Sequence, residues 1–192
     1  ETLVRLDTAA GLIDVKVRCE NGNAIACTVS APASFPVHLD HPIEVEGLGT
    51  LFTDVGWGGW YYGFVDARKL GFSIQPDEAR DIAAVLREVG TALQEQVTIS
   101  HPYDETINKI NLGAFPFMTL DPEEGSNVHR FANMMPGGRI DRSPCGTGAA
   151  ARAAILHSRG KMKLNEEHIK ELDALNFDWN MQHRDKTFFD NV

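Results

Sequence analysis

The chain has 192 residues, 43% of them hydrophobic, and a formal net charge of −9 at pH 7. That length and apolar share suit one core-bearing domain, or one domain with a small appendage. The acidity argues against nucleic acid or an anionic membrane surface as a partner, and no apolar run is long enough to span a bilayer. No signal peptide is visible, and Glu1 in place of methionine suggests a trimmed or excised chain. Cys19, Cys27 and Cys145 give an odd count without a Cys-x-x-Cys pair, so reduced thiols in a cytoplasmic setting are expected rather than a disulfide framework.

In chain order, Leu3–Asp7 and Leu12–Cys19 alternate as strands do. Asn21-Gly22-Asn23 is a hairpin turn, because Asn-Gly tolerates positive φ, and Ala24–Ser30 returns as the partner strand. Cys19 and Cys27 can face each other there and read as core or half-buried thiols. Residues 31–42 hold three prolines and read as a loop; His38, Asp40 and His41 within it lack further ligands for a metal site, so no metal is expected. Strands follow at Ile43–Glu46, Thr50–Val55 and Trp60–Val65, with Gly56, Gly58 and Gly59 marking a bulge or a close backbone approach. Trp57, Trp60 and Tyr62 fit either a pocket wall or plain core.

Pro76 to Gln96 is the clearest helix. Pro76 suits its first position and Asp77 and Glu78 its positive end. Ala79, Ile82, Ala83, Leu86, Val89 and Leu93 keep one apolar face, so this helix should pack on the outside of a sheet. Val97–Ser100, Ile107–Leu120 and Asn127–Met134 read as further strands, with His101 in an exposed connection and turns at 121–125 and 136–138. The tail from Asn165 to Leu175 reads as helical and ends in an aromatic stretch with Phe177, Trp179, Phe188 and Phe189. It can pack on the domain or cover a surface that a partner would otherwise bury.

The stretch richest in chemistry is Asp141-Arg-Ser-Pro-Cys-Gly-Thr-Gly, followed by an alanine-rich run to His157. Pro144 fixes its own φ and pushes Ser143 towards extended geometry. Gly146 and Gly148 let the backbone approach a ligand, and Thr147 can cap the helix that the alanines form. Gly160 is its stop, with His157 and Arg159 in the last turn and Arg152 the one charge inside the run. A helix start presents unpaired N–H groups to a carboxylate or phosphate, and the same field favours a thiolate at Cys145. Asp141 can hold a cationic group of the same ligand, so the set suits a zwitterionic amino acid. On spacing alone Cys145 fits a small buried side chain equally well.

The motif at 141–148 resembles the second-cysteine motif of the proline racemase family, which includes 4-hydroxyproline epimerases. Leu6-Asp7-Thr8-Ala9-Ala10-Gly11 is similar to the family's Leu-Asp-Thr-Pro-Ala-Gly segment, with Ala9 replacing proline. Trp57-Gly58-Gly59-Trp60-Tyr61-Tyr62 resembles its aromatic-Gly-Gly-Asn-aromatic strand, with Trp60 in the asparagine position, and His101-Pro102 with Ile107-Asn108 resembles its His-Pro…Ile-Asn stretch. The resemblance covers about residues 3–163, so 1–163 is expected to be one lobe and 164–192 an unmatched, partly helical tail.

The resemblance implies an α+β, diaminopimelate-epimerase-like lobe, mostly antiparallel strands around a central helix with one amphipathic helix packed outside. It implies a cofactor-independent racemase or epimerase acting at Cα of proline or a hydroxyproline. Two cysteines face the substrate from opposite sides, one removing the α-proton and the other donating one. By position, Cys145 is one of these catalytic groups, Gly146 and Thr147 offer N–H groups to the carboxylate, and Asp141 binds the ring nitrogen. A cysteine at 145 favours epimerisation over the related dehydratases. Family members are nearly twice as long and carry an earlier Met-Cys-Gly-His motif that this chain lacks, so a companion lobe or a second copy is the expected partner. The alternatives are a relic or small-carboxylate-binding module, or a structural fragment.

Overall fold

Residues 1–8, 11–30, 33–102, 104–108, 113–123 and 128–162 are described by the structure, a computed structural model. The expected tail helix and aromatic terminus lie outside the described residues. Alternation in the first thirty residues folds as a meander: β1 (Thr2–Thr8), β2 (Gly11–Glu20) and β3 (Asn23–Val29) pair antiparallel in that order. Asn21 and Gly22 make the second turn with φ of 50° and 77°. Register places Val4, Val15 and Val29 in one row, Leu6 opposite Ile13, and Val17 opposite Cys27. Directly opposed residues share a face, so one face of this sheet is apolar. The other carries the Arg5–Asp14 ion pair at 2.7 Å.

Among the described residues no other helix or strand packs substantially on this sheet, and Val4, Leu6 and Val29 are 39%, 46% and 58% exposed. The two thiols of the hairpin therefore differ from expectation. Cys19 lies opposite Ala24, not Cys27, because the ladder shifts between Arg18 and Cys19. Both thiols are exposed, and no described helix or strand is layered over them.

The second sheet has six strands in sequence order, β4 (Phe35–Val45), β5 (Gly49–Trp57), β6 (Tyr61–Asp66), β7 (Phe115–Leu120), β8 (Arg130–Met135) and β9 (Arg139–Ile140). All neighbours are antiparallel except β6 and β7, which run parallel. The segment expected as a loop at 31–42 instead supplies most of β4. As an edge strand, β4 needs ladder bonds on one side only, which accommodates Pro36 and Pro42. The ladder slips between Pro36 and His38 and again between His38 and His41, with Asp40 at φ 50°. His38 Nε2 lies 2.9 Å from the Thr98 carbonyl oxygen. Among the described residues no group of three or more potential ligands could hold a metal.

Two other expected strands differ. Val97–Ser100 is not a strand: the Val97 N–H instead closes the preceding helix on the Leu93 carbonyl at 3.1 Å. Ile107 falls in the one-turn helix α2 (Glu105–Asn108), and β7 starts only at Phe115. Val97 and Ile107 are 8% and 4% exposed; burial, not strand pairing, explains their apolarity.

Helix α1 (Ala79–Gln96) crosses from β6 to β7. A turn of 3-10 helix at Pro76–Glu78 introduces it, and Glu78 accepts the Gln75 N–H at 2.7 Å. Ile82, Leu86, Val89 and Leu93 are fully buried on one face of the sheet, with Tyr61, Val65 and Met118. Each such side chain contributes roughly 1.5–3 kcal/mol on leaving water. Helix α3 (Gly146–Ser158) packs on the opposite face, with Tyr62, Phe64 and Phe117. Strand alternation thus assigns Tyr61 and Val65 to one helix and Tyr62 and Phe64 to the other.

The approach of α3 is set by glycines. A methyl group on Gly56 would lie 3.0 Å from Ile155 Cδ1, and one on Gly58 would collide with the Thr147 carbonyl oxygen and sit 2.7 Å from the Ala151 nitrogen. The two atoms that Gly58 would meet are backbone atoms that cannot swing aside. Gly58→Ala is expected to lower stability by about 1–3 kcal/mol, read as an earlier urea midpoint; an unchanged midpoint would mean that α3 does not depend on this contact.

Candidate active site at the start of helix α3

The loop leaving β9 is tied to the sheet by its first residue, whose N–H reaches the Asn133 carbonyl of β8 at 2.8 Å. That residue, Asp141, then organises the turn. One carboxylate oxygen accepts the Ser143 N–H at 2.8 Å and the other the Ser143 hydroxyl at 2.8 Å. The Ser143 oxygen in turn accepts the Cys145 N–H at 3.1 Å. The Ser143 N–H above all, with its hydroxyl and the Asn133 side chain, outweighs slight burial and holds the Asp141 carboxyl below the ordinary carboxylate range. Asp141 is therefore an anion at neutral pH.

The chain reverses at Cys145, which sits in the left-handed region at φ 44° and ψ 68°. A side chain in that conformation costs about 1–2 kcal/mol. Cys145, not Thr147, is the cap residue, and no side chain caps the helix. The helix begins earlier than expected because the reversal is completed at the cysteine. The first helical bond joins the Ala149 N–H to the Cys145 carbonyl at 2.8 Å, which leaves the N–H groups of Gly146, Thr147 and Gly148 ahead of the ladder. A methyl on Gly146 would meet nothing within 4 Å, so the space beside the helix start is open.

The thiol itself points inward, and Cys145 is 8% exposed. Asn133 Nδ2 donates to its sulfur at 3.3 Å, and the thiol reaches the Tyr62 hydroxyl at 3.7 Å. That hydroxyl is itself 2.7 Å from Thr147 Oγ1. Burial pushes the Tyr62 hydroxyl well above its ordinary value, further than its bond to Thr147 pulls it back, and Cys145 adds to the rise. Gly148 is needed for this arrangement: a Cβ there would lie 2.5 Å from Phe117 Cε2 and 2.8 Å from the sulfur.

The structure thus brings Asp141, Cys145, Gly146 and Thr147 into one turn and adds two neighbours from the sheet, Tyr62 and Asn133. Asn133 was not singled out from the sequence; its trace there is one amide in the apolar run Phe131-Ala132-Asn133-Met134. Trp57 is core on the α1 side, beside Phe35 and Tyr61. Trp60 stacks on Phe115 at 5.1 Å and bonds the Gly113 carbonyl at 3.2 Å. His101 is not the exposed loop residue expected. It lies edge-on to Phe35 and Trp57 at 5.3 and 4.8 Å, and this burial lowers its pKa, outweighing the opposing pull of Asp104.

At the far end of α3 an ion-pair network fixes the helix to the sheet around a polar pocket of about 230 Å³. Arg152 bridges Asp121 at 2.6 Å and Asp54 at 3.5 Å. Arg159 joins Asp54 at 2.5 Å and Asp40 at 3.0 Å, and Lys161 reaches Asp121 at 3.3 Å. Burial opposes ionisation of Asp121, but Arg152 and Lys161 outweigh it and hold its carboxyl below the ordinary range.

The mixed α+β fold thus carries a cysteine at the cap position of an open helix start, beside an ionised aspartate. The comparisons with known proteins are specific. The proline racemase family model matches residues 1–175, and the chain belongs to the proline racemase family. It is 36% identical over 169 residues to a 4-hydroxyproline 2-epimerase of Allorhizobium ampelinum, covering 88% of this chain and 47% of that protein. A hydroxyproline epimerase from Agrobacterium vitis, solved with bound trans-4-hydroxy-L-proline, superposes with a TM-score of 0.76 at 32% identity, covering 86% of this chain and 47% of the other. A probable proline racemase from Agrobacterium radiobacter K84, solved with bound carbonate, superposes equally well at 29% identity and the same coverage. The chain spans about half the length of these relatives. No helix among the described residues is long and apolar enough to cross a membrane.

The sign of the Asp121 shift gives a pH test. Its folded pKa lies below its ordinary value of 3.8, so its contribution to stability is complete above that value and is lost as pH falls through the folded one. Arg152→Met removes the main partner. It is expected to cost about 1–3 kcal/mol at pH 7, discounted for partial exposure, and to flatten the decline of stability below pH ~4. Urea unfolding across pH checks both; a parallel pH profile in the variant would remove Asp121 from the account.

Proposed function

We propose that this chain is the second-cysteine half of a cofactor-independent racemase or epimerase acting at Cα of proline or a hydroxyproline. The observation that carries the proposal is Cys145 as the cap of a helix whose start is open, in a member of the proline racemase family. In this reading the substrate carboxylate sits on the N–H groups of Gly146 and Thr147, where the helix field favours an anion. Asp141, anionic at neutral pH, holds the ring ammonium. Cys145 exchanges a proton with Cα on one face: as thiolate it takes the proton, as thiol it returns one.

Inversion needs a second acid/base group on the opposite face. The likeness to proteins about twice as long supports a companion lobe that supplies this group, with a second copy of the chain as the other candidate partner. The apolar face of β1–β3, uncovered among the described residues, supports the same reading, since a surface of this kind marks an interaction site. The six-stranded sheet with α3 then forms the diaminopimelate-epimerase-like lobe, carried by residues 1–163 with 164–192 as its tail, and three free thiols suit the cytoplasm. A second reading, a module that binds small carboxylates without chemistry, is favoured by the 8% exposure of Cys145.

Incubation with trans-4-hydroxy-L-proline or L-proline in D₂O separates these, followed by NMR of the Cα–H signal and chiral analysis. Joined to a lobe that carries the first cysteine motif, the chain is expected to deuterate and invert Cα, and Cys145→Ser to reduce turnover by about 10²–10⁴-fold. Undiminished turnover in that variant would overturn the proposal, and binding without exchange in the joined protein would favour the module. On the β1–β3 face, Leu6→Lys is expected to weaken association with the companion lobe at least about tenfold, measured by calorimetry, while leaving the circular dichroism of the chain unchanged. Unaltered association would place the contact elsewhere.

A further inference from the structure

The geometry points to Asn133 as a positioning residue that holds the Cys145 sulfur and stabilises it as a thiolate through its side-chain N–H. Four observations converge on this side chain. It is 2% exposed, on β8 in register with Phe117. Its Nδ2 lies 3.3 Å from the sulfur. Its backbone carbonyl accepts the Asp141 N–H at 2.8 Å. Its Oδ1 is buried with no hydrogen-bond partner among the described residues.

A buried amide with an orphaned oxygen costs free energy that an apolar residue at the same site would avoid. That cost has a rationale if the amide serves the sulfur. A neutral thiol is a weak acceptor, whereas a thiolate is a strong one, so an N–H donor at this distance favours the ionised form. Among the described residues, the other side chains against the sulfur offer no such N–H. Tyr62, from β6, directs its hydroxyl to Thr147 or receives the thiol proton, while Phe117 of β7 and Gly148 of α3 are apolar. Asn133 also ties the proton-transfer group to the proposed ammonium holder: its side chain contacts the Cys145 sulfur and its backbone carbonyl accepts the Asp141 N–H, so one residue sets the spacing of both.

The catalytic consequence rests on the reading of Cys145 as an acid/base group, but the sulfur contact is testable without turnover. In a chain carrying Cys19→Ser and Cys27→Ser, thiolate absorbance at 240 nm is followed against pH, with Cys145→Ser as the blank. Asn133→Leu is expected to move the midpoint upward by about one unit, and the isosteric Asn133→Asp, which places a charge beside the sulfur, at least as far. Circular dichroism identifies folded variants, and an unmoved midpoint in either would overturn the inference. In the unsubstituted side chain, the Asn133 NH₂ resonances should shift with the same midpoint as the thiol, and a flat response would overturn it as well. In the joined enzyme Asn133→Leu should lower kcat about tenfold with KM little changed. A moved midpoint without any turnover, even in the unsubstituted enzyme, would defeat the proposed reaction and leave the Asn133 contact standing.

Discussion

The close approach of α3 to the six-stranded sheet is the constraint on which the rest depends. Gly56 and Gly58 on the sheet side and Gly148 on the helix side remove the methyl groups that would hold the two apart. With the helix pressed onto β5 and β6, its first turn falls beside Tyr62 and Asn133, and Cys145 closes a turn that Asp141 and Ser143 have shaped. The left-handed cysteine is then held by surrounding hydrogen bonds instead of being free to relax. Strain of this kind persists only where neighbours over-determine it.

The two ends of α3 are treated differently, and the difference is electrostatic. From its middle to its carboxyl end, Asp121 and Asp54 hold Arg152 and Arg159, so the helix is fixed to the sheet by charge where it is partly buried. At the amino end no side chain caps the helix, and its first N–H groups face open space beside Gly146. One end of the helix is thus anchored by ion pairs, while the other carries no side-chain cap. In the proposed function this is the end that receives the substrate carboxylate.

Much of this was legible in the sequence where local chemistry decides the backbone. Pro144 and the glycines at 146 and 148 mark the turn and helix regardless of surroundings, the apolar spacing from Ile82 to Leu93 marks α1, and Asn21-Gly22 marks the hairpin. What was not legible depends on register and distance. Pro36 and Pro42 argue for a loop until β4 is known to be an edge strand. Asn133 reaches Cys145 only through the pairing of β8, and the ion network joins residues far apart in the chain. Thr147 has the composition of a cap, but the turn geometry gives that place to Cys145. The exposure of Cys19 and Cys27 follows from a sheet whose apolar face finds no cover among the described residues.

The central proposal is that a small amino acid binds at the start of α3. Titration of the ¹⁵N-labelled chain with trans-4-hydroxy-L-proline tests it directly. The account predicts saturable amide shifts at Gly146, Thr147 and Gly148 that disappear in Asp141→Ala, with little change in the ion-pair network around Arg152. Shifts that are absent at the helix start, or that centre on the far end of α3, would contradict it.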